Sequence, residues 1–217
     1  MTTKVSALVP ASAKVIAATL SAIVVIAGST SSVDAVPLAR SFAHFTTVAE
    51  DALPPAGWLQ FCKDRPHECR VEKREPRTQA LTDERLAELQ RVNRTVNRQI
   101  RPMTDLKNYG VKEKWTYPEN GYGDCEDYVL LKRRLLAELG WPLESLLITI
   151  VWSKNAGHSV LLVRTDEGEY VLDNMRSEVL LWSKTRYDFV KRQSEHDLNK
   201  WVYVDRSPQI PATVAGR

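Results

Sequence analysis

The chain has 217 residues, 43% of them apolar and 26% charged, with 30 Lys and Arg against 27 Asp and Glu. That suffices for one domain of ordinary size with its own core, and six Trp, seven Tyr and four Phe exclude disorder as the main state. A net charge of +3 is too small to argue for nucleic acid or an anionic membrane, and three Cys exclude a disulfide-dense mini-protein.

Lys4 and Lys14 are the only charges before Asp34. They precede an apolar run from Val15 to Ala27, which at about 13 residues is shorter than the roughly 20 needed to span a bilayer core. The run exits into Gly28-Ser29-Thr30-Ser31-Ser32 and then Val33-Asp34-Ala35. A basic start, a short apolar run and a small-x-Ala exit describe a secretory signal peptide, cleaved near Ala35, with an uncleaved signal anchor as the alternative. No Cys occurs before Cys62, so a lipoprotein anchor is excluded. The expected organisation is a signal peptide over 1–35, one domain over 36–205 and a tail over 206–217. The expected location is the periplasm, with no membrane span after signal removal.

From Val36 to Pro76 the chain is rich in Pro and turn residues, and it reads as an irregular segment wrapped on the domain and fixed by its aromatics. From Thr82 to Ile100, Leu86, Leu89, Val92, Val96 and Ile100 recur at helical spacing, and Pro102 marks the end. The arginines on this helix are interleaved with Asp83, Glu84 and Glu88, the pattern of a solvated face. A loop from Met103 to Gly123 leads into a second helix from about Cys125 to Leu139, stopped by Gly140 and Pro142. Strand signals follow at Leu146–Trp152, His158–Arg164, Tyr170–Leu172 and Trp201–Val204. Helices first and an antiparallel meander afterwards describe an α+β domain.

Cys62 and Cys69 lie in one loop of an exported chain, where a disulfide is the natural reading. The alternative is a metal site of Cys62, His67 and Cys69, for which no fourth ligand is in sight. Pairing the two leaves Cys125, which opens a helix where unsatisfied N–H groups and the positive dipole end favour a thiolate. His158 opens one strand and Asp173 closes the next, so an antiparallel hairpin brings the two to the same end. Each residue alone has an ordinary structural explanation. Together, in this order, they form a nucleophile, a base and an orienting carboxylate.

Gly-Asp-Cys-Glu-Asp-Tyr at 123–128, His158-Ser159-Val160-Leu161 and Val171-Leu172-Asp173-Asn174 resemble the bacterial transglutaminase-like cysteine proteinases. The Val92-Asn93…Val96-Asn97 helix, Tyr109-Gly110, Trp115, the Phe61-Cys62…Cys69 loop and Tyr187…Arg192-Gln193-Ser194…Trp201 match as well, so the resemblance runs from about Pro54 to Val204. It implies a papain-like fold in which a Cys-bearing helix packs on an antiparallel sheet. It implies Cys125 as nucleophile, His158 as general base and acid, and Asp173 as the orienting partner. Characterised members are periplasmic, calcium-dependent proteases that clip large surface adhesins and release biofilm cells.

The resemblance also implies calcium held by the acidic residues flanking the cysteine, here Asp124, Glu126 and Asp127. Those carboxylates equally suit a helix N-terminus as cap and dipole complement. Negative charge beside a thiolate raises its pKa, however, and a bound cation with oxygen ligands would offset it. The leading expectation is therefore an exported thiol peptidase acting on a protein of the cell envelope. A transglutaminase with the same acyl-enzyme, and a non-catalytic envelope binding module of the same fold, are the alternatives. The Cys125 backbone N–H would form half of the oxyanion hole, with Trp115 and Asn120 as guesses for the rest. Oligomeric state is open, with a monomer as the expectation.

Overall fold

A computed structural model describes residues 44–70, 75–77, 79–154 and 156–205; the expected signal peptide and tail lie outside the described residues. In chain order the elements are β1 (Val48–Ala52), α1 (Ala56–Asp64), α2 (Asp83–Gln99), β2 (Arg101–Pro102), α3 (Asp105–Tyr109), β3 (Tyr122–Gly123), α4 (Cys125–Glu138), β4 (Leu146–Ser153), β5 (Ala156–Thr165), β6 (Gly168–Leu172), β7 (Leu180–Leu181), β8 (Asp188–Gln193) and β9 (Trp201–Val204). Seven strands form one antiparallel sheet in the order β1-β9-β8-β4-β5-β6-β7. The α+β expectation is met: helices pack on an antiparallel sheet.

The near-continuous apolar run in β4 has a simple cause, because both faces of the sheet are covered. Leu146, Ile148, Leu161, Val163 and Leu172 join the helical core with Leu89, Val96, Tyr128 and Leu136. Their alternates Leu147, Val151, Val160, Leu162 and Val171 bury against Phe189, Leu198 and Val204 on the other face. His158 shares the second parity with Val160, and Ser159 shares the first with Leu161. His158 and Ser159 thus leave the strand on opposite faces.

Helix α2 begins where Thr82 caps it, its side chain accepting from Arg85 N at 3.2 Å, with Asp83 and Glu84 in the first turn. Helix α4 stops in a Schellman motif: Gly140 takes φ 85°, its N–H reaches Ala137 O, and Trp141 N–H reaches Leu136 O.

The segment expected to be irregular differs from that reading. Residues 56–64 form α1, and Trp58 and Phe61 stack at 5.7 Å inside the core. Gly57 is required there, since a Cβ would sit 2.1 Å from the Trp115 ring. Burial of two aromatics, not helix propensity, makes this turn of helix. Its last residues carry Cys62, which is disulfide-bonded to Cys69 with the Cα atoms 5.5 Å apart. Closing so short a loop contributes about 2–3 kcal/mol in the chain-entropy view.

Strands β2 and β3 pair in parallel, Arg101 with Tyr122 and Pro102 with Gly123. Met103 N–H continues the ladder to Gly123 O at 2.9 Å. This short pairing ties the exit of α2 to the entrance of α4. It lays Asp105, at the start of α3, beside Asp124.

Candidate active site

Cys125 is the first residue of α4, and its thiol is partly buried. The sharp entry depends on Gly123, where a Cβ would lie 2.8 Å from both Cβ and Oδ2 of Asp127. The thiol donates to Glu126 Oε2 at 3.2 Å, and the Ser159 backbone N–H points at Sγ. Burial, then the Glu126 charge, push the thiol well above its ordinary pKa.

His158 is 7% exposed and Asp173 1% exposed. His158 Nε2 lies 3.0 Å from Asp173 Oδ1. A carboxylate there accepts the Nε2 proton, which leaves Nδ1 as the basic nitrogen. Asp173 Oδ1 also accepts from Met175 N at 2.9 Å, and Oδ2 accepts from the Tyr187 hydroxyl. The Tyr187 ring packs 5.7 Å from the imidazole. Burial alone would raise the Asp173 pKa, but the donors His158, Tyr187 and Met175 outweigh it and hold the carboxyl below its ordinary value.

Cys125 and His158 line one cleft of about 310 Å³, together with Glu126, Trp115, Ile150 and Gly157. Asp173 stands behind the histidine. The three residues singled out in the sequence are therefore at one place, two on the cleft and the third supporting the second. Of the two guesses for an oxyanion donor, Trp115 is in the cleft, with Nε1 donating to Glu113 Oε1 at 2.7 Å. Asn120 spends its amide on Asn108 Oδ1, in an exposed turn.

The acidic residues divide. Asp124 is the N-cap residue of α4, yet its side chain makes no cap bond; Oδ2 accepts from Asp105 N at 3.2 Å. One oxygen each from Asp105, Asp124 and Glu126 fall within 4.8 Å of one another. Asp127 stands outside that group, with Oδ1 accepting from Thr116 N at 2.9 Å. Burial, then the Asp124 charge, raise Asp105 to about 6 and Glu126 to about 9. Burial also raises Asp127 to about 8, against the Thr116 hydrogen bond.

Two contributors were not read from the sequence. Asp105 carries no local motif, and only the β2–β3 pairing brings it to Asp124. Tyr187 belongs to a stretch that matched as sequence, but its role as a donor to Asp173 is visible only once the chain is folded.

The family model of bacterial transglutaminase-like cysteine proteinases matches residues 48–209. No curated protein matches the chain. Among solved structures, calcium-bound LapG of Legionella pneumophila is 24% identical, over 58% of this chain and 72% of that one, with a TM-score of 0.47. The EGTA-treated form is 26% identical, over 60% and 73%, with a TM-score of 0.45. With its match spanning most of the described residues, the chain belongs to the bacterial transglutaminase-like cysteine proteinases, a family of cysteine peptidases.

Proposed function

We propose that the protein is an exported peptidase that cleaves a protein of the cell envelope through Cys125, His158 and Asp173. The observation that carries this reading is the buried His158–Asp173 pair opening onto the cleft that holds a helix-start thiol. The Cys125 thiol passes its proton to His158 Nδ1, and Sγ bonds to the scissile carbonyl carbon. His158 returns that proton to the leaving amine as the C–N bond breaks. It then takes a proton from water, whose oxygen displaces Sγ and frees the acid product. Asp173 fixes the tautomer and balances the imidazolium. The expected domain plan, with residues 1–35 removed and 36–205 as the peptidase, belongs to this reading. Large surface adhesins are the substrate class that family resemblance suggests.

Calcium belongs to the proposal as well. Asp105 Oδ1 and Asp124 Oδ1 are buried and without a hydrogen-bond partner among the described residues, which suits a hard cation that takes oxygen ligands. Asp105, Asp124 and Glu126 would hold it, with Asp127 at their flank. When bound, the ion supplies positive charge that offsets the carboxylates crowding the thiol.

The test is mass analysis of envelope proteins incubated with the mature protein and with its Cys125→Ala form. New protein termini should appear with the first and be absent with the second. His158→Ala should be nearly as inactive, since base and acid are lost together. Equal cleavage by Cys125→Ala would remove Cys125 from the chemistry, and no new termini with either form would leave a binding module as the better account.

A further inference from the structure

We propose that Asn93 and Asn97 of α2 are positioning residues that fix Asp173, and through it the orientation of His158; this rests on the triad reading above. Strand β6 gives its last paired residue at Leu172, opposite Leu161. From Asp173 onward the chain leaves the sheet, and its carbonyls lose the ladder that would have satisfied them. Helix α2 supplies the replacement. Asn97 Nδ2 donates to Asp173 O at 2.8 Å and to Arg176 O at 2.9 Å. Asn93 Nδ2 donates to Arg176 O at 2.9 Å and to Ser177 O at 3.2 Å.

The two asparagines are one helical turn apart and share a face, so a rigid helix grips the turn at two successive points. Asn93 is fully buried, and its Oδ1 has no hydrogen-bond partner among the described residues. Burying an amide with its oxygen unsatisfied is unfavourable, and an apolar side chain would fill that position at lower cost. The N–H groups are what the position requires. Within the same turn, Met175 N–H closes back on Asp173 Oδ1. The Asp173 main chain is thus held by α2 while its carboxylate is held by Tyr187 and His158. A shift of the turn would move Oδ1 off Nε2, and the imidazole would lose its tautomer and its aim.

A structural role alone would also place donors on these carbonyls, so the test must separate stability from positioning. The readout is the rate at which iodoacetamide alkylates Cys125 in the mature disulfide-bonded protein, at neutral pH with calcium present. This needs no known substrate. Asn97→Ala should slow alkylation about tenfold, a coupling within the range seen for contacting residues. Asp173→Asn should slow it at least as much. The double variant Asn97→Ala/Asp173→Asn should be no slower than Asp173→Asn alone, because the asparagine acts through the aspartate. Asn97→Gln, which keeps the amide and displaces it by one methylene, should fall between wild type and Asn97→Ala and covers the case in which the alanine variant does not fold. Wild-type rates in both Asn97 variants, or additive losses in the double variant, would overturn the clamp while leaving the triad intact. A wild-type rate no faster than that of His158→Ala would overturn the triad reading and the clamp with it.

Discussion

Two groups of buried carboxylates lie in this molecule, and they are handled in opposite ways. On the strand side, Glu195 meets Arg192 Nη1 at 2.6 Å and is bridged by Arg164 Nη1. Glu169, wholly buried, meets Arg164 Nε at 3.4 Å and accepts from Thr46 N at 2.6 Å. Burial works against ionised Glu195, but the two guanidiniums outweigh it and hold its pKa down at about 2. At the start of α4, Asp105, Asp124 and Glu126 crowd together and form no ion pair with a basic side chain among the described residues. There burial outweighs the hydrogen bonds that oppose it, and Asp105 and Glu126 climb towards neutrality. A buried acid needs a counter-charge. The first group carries its own counter-charge as folded. The second must take a proton or a cation from outside, and that difference separates a structural network from the proposed metal site.

The largest expected effect is on the self-sufficient group. Arg192→Leu removes a fully buried guanidinium and strips Glu195 of one partner, which should cost about 3–5 kcal/mol. Urea unfolding with an unchanged slope would measure it. A loss within experimental scatter would mean that the network is no more than a surface ion pair, and the comparison would fail on that side. Next comes calcium itself. At a hundredfold excess over its dissociation constant it should stabilise the protein by about 2.7 kcal/mol. Chelator should remove that gain, and a melting curve with and without chelator reads it directly. Asp105→Asn should lose the response and yet be more stable than wild type in chelator, because a buried carboxylate beside Asp124 is gone. Arg192→Leu should keep the calcium response despite its lower melting temperature. An unaltered response in Asp105→Asn would exclude that residue as a ligand.

How much of this was legible in the sequence depended on distance along the chain. The Cys-bearing helix, the paired cysteines and the central strands β4, β5 and β6 rest on local signals: caps, stops and apolar runs. Strand β8 was invisible for a physical reason. Its buried positions include Arg192 and Gln193, which break the apolar alternation that marks a strand. Gln193 earns its place in the core by accepting from Ile148 N at 3.0 Å and donating to Leu198 O at 2.7 Å. Helix α1 was hidden likewise, since its aromatics need Trp115 and Trp201 as partners before a helix makes sense. In the site, Cys125, His158 and Asp173 stood out as a set because His158 lies near the start of β5 and Asp173 just past the end of its neighbour β6. Asp105 lies 19 residues from Asp124, and nothing local to either residue announces their approach.

The smallest effect, taken per unit of pH, is also the sharpest, because the two groups should impose opposite slopes of stability on pH. For Glu195 the folded pKa, about 2, is below the ordinary 4.5, so the unfolded chain binds protons more readily over that interval. Its contribution is fully present above pH 4.5 and disappears as the pH falls towards 2. For Asp105 the folded value, about 6, is above the ordinary 3.8, so here the folded chain binds protons more readily. Without calcium, stability should therefore decline as the pH rises from about 4 to about 6, and Asp127 and Glu126 should extend the decline to about 8 and about 9. Each group can contribute at most about 1.4 kcal/mol per pH unit. Glu195→Gln should flatten the acid limb below 4.5 and leave the second slope alone, while Asp105→Asn should do the reverse. Saturating calcium should turn the second slope upward, since a ligand that requires ionised carboxylates displaces their protons. Urea midpoints at half-unit steps of pH, with chelator and with calcium, separate the arms. A second slope that calcium does not reverse would mean that the α4 carboxylates are neutralised by protons alone.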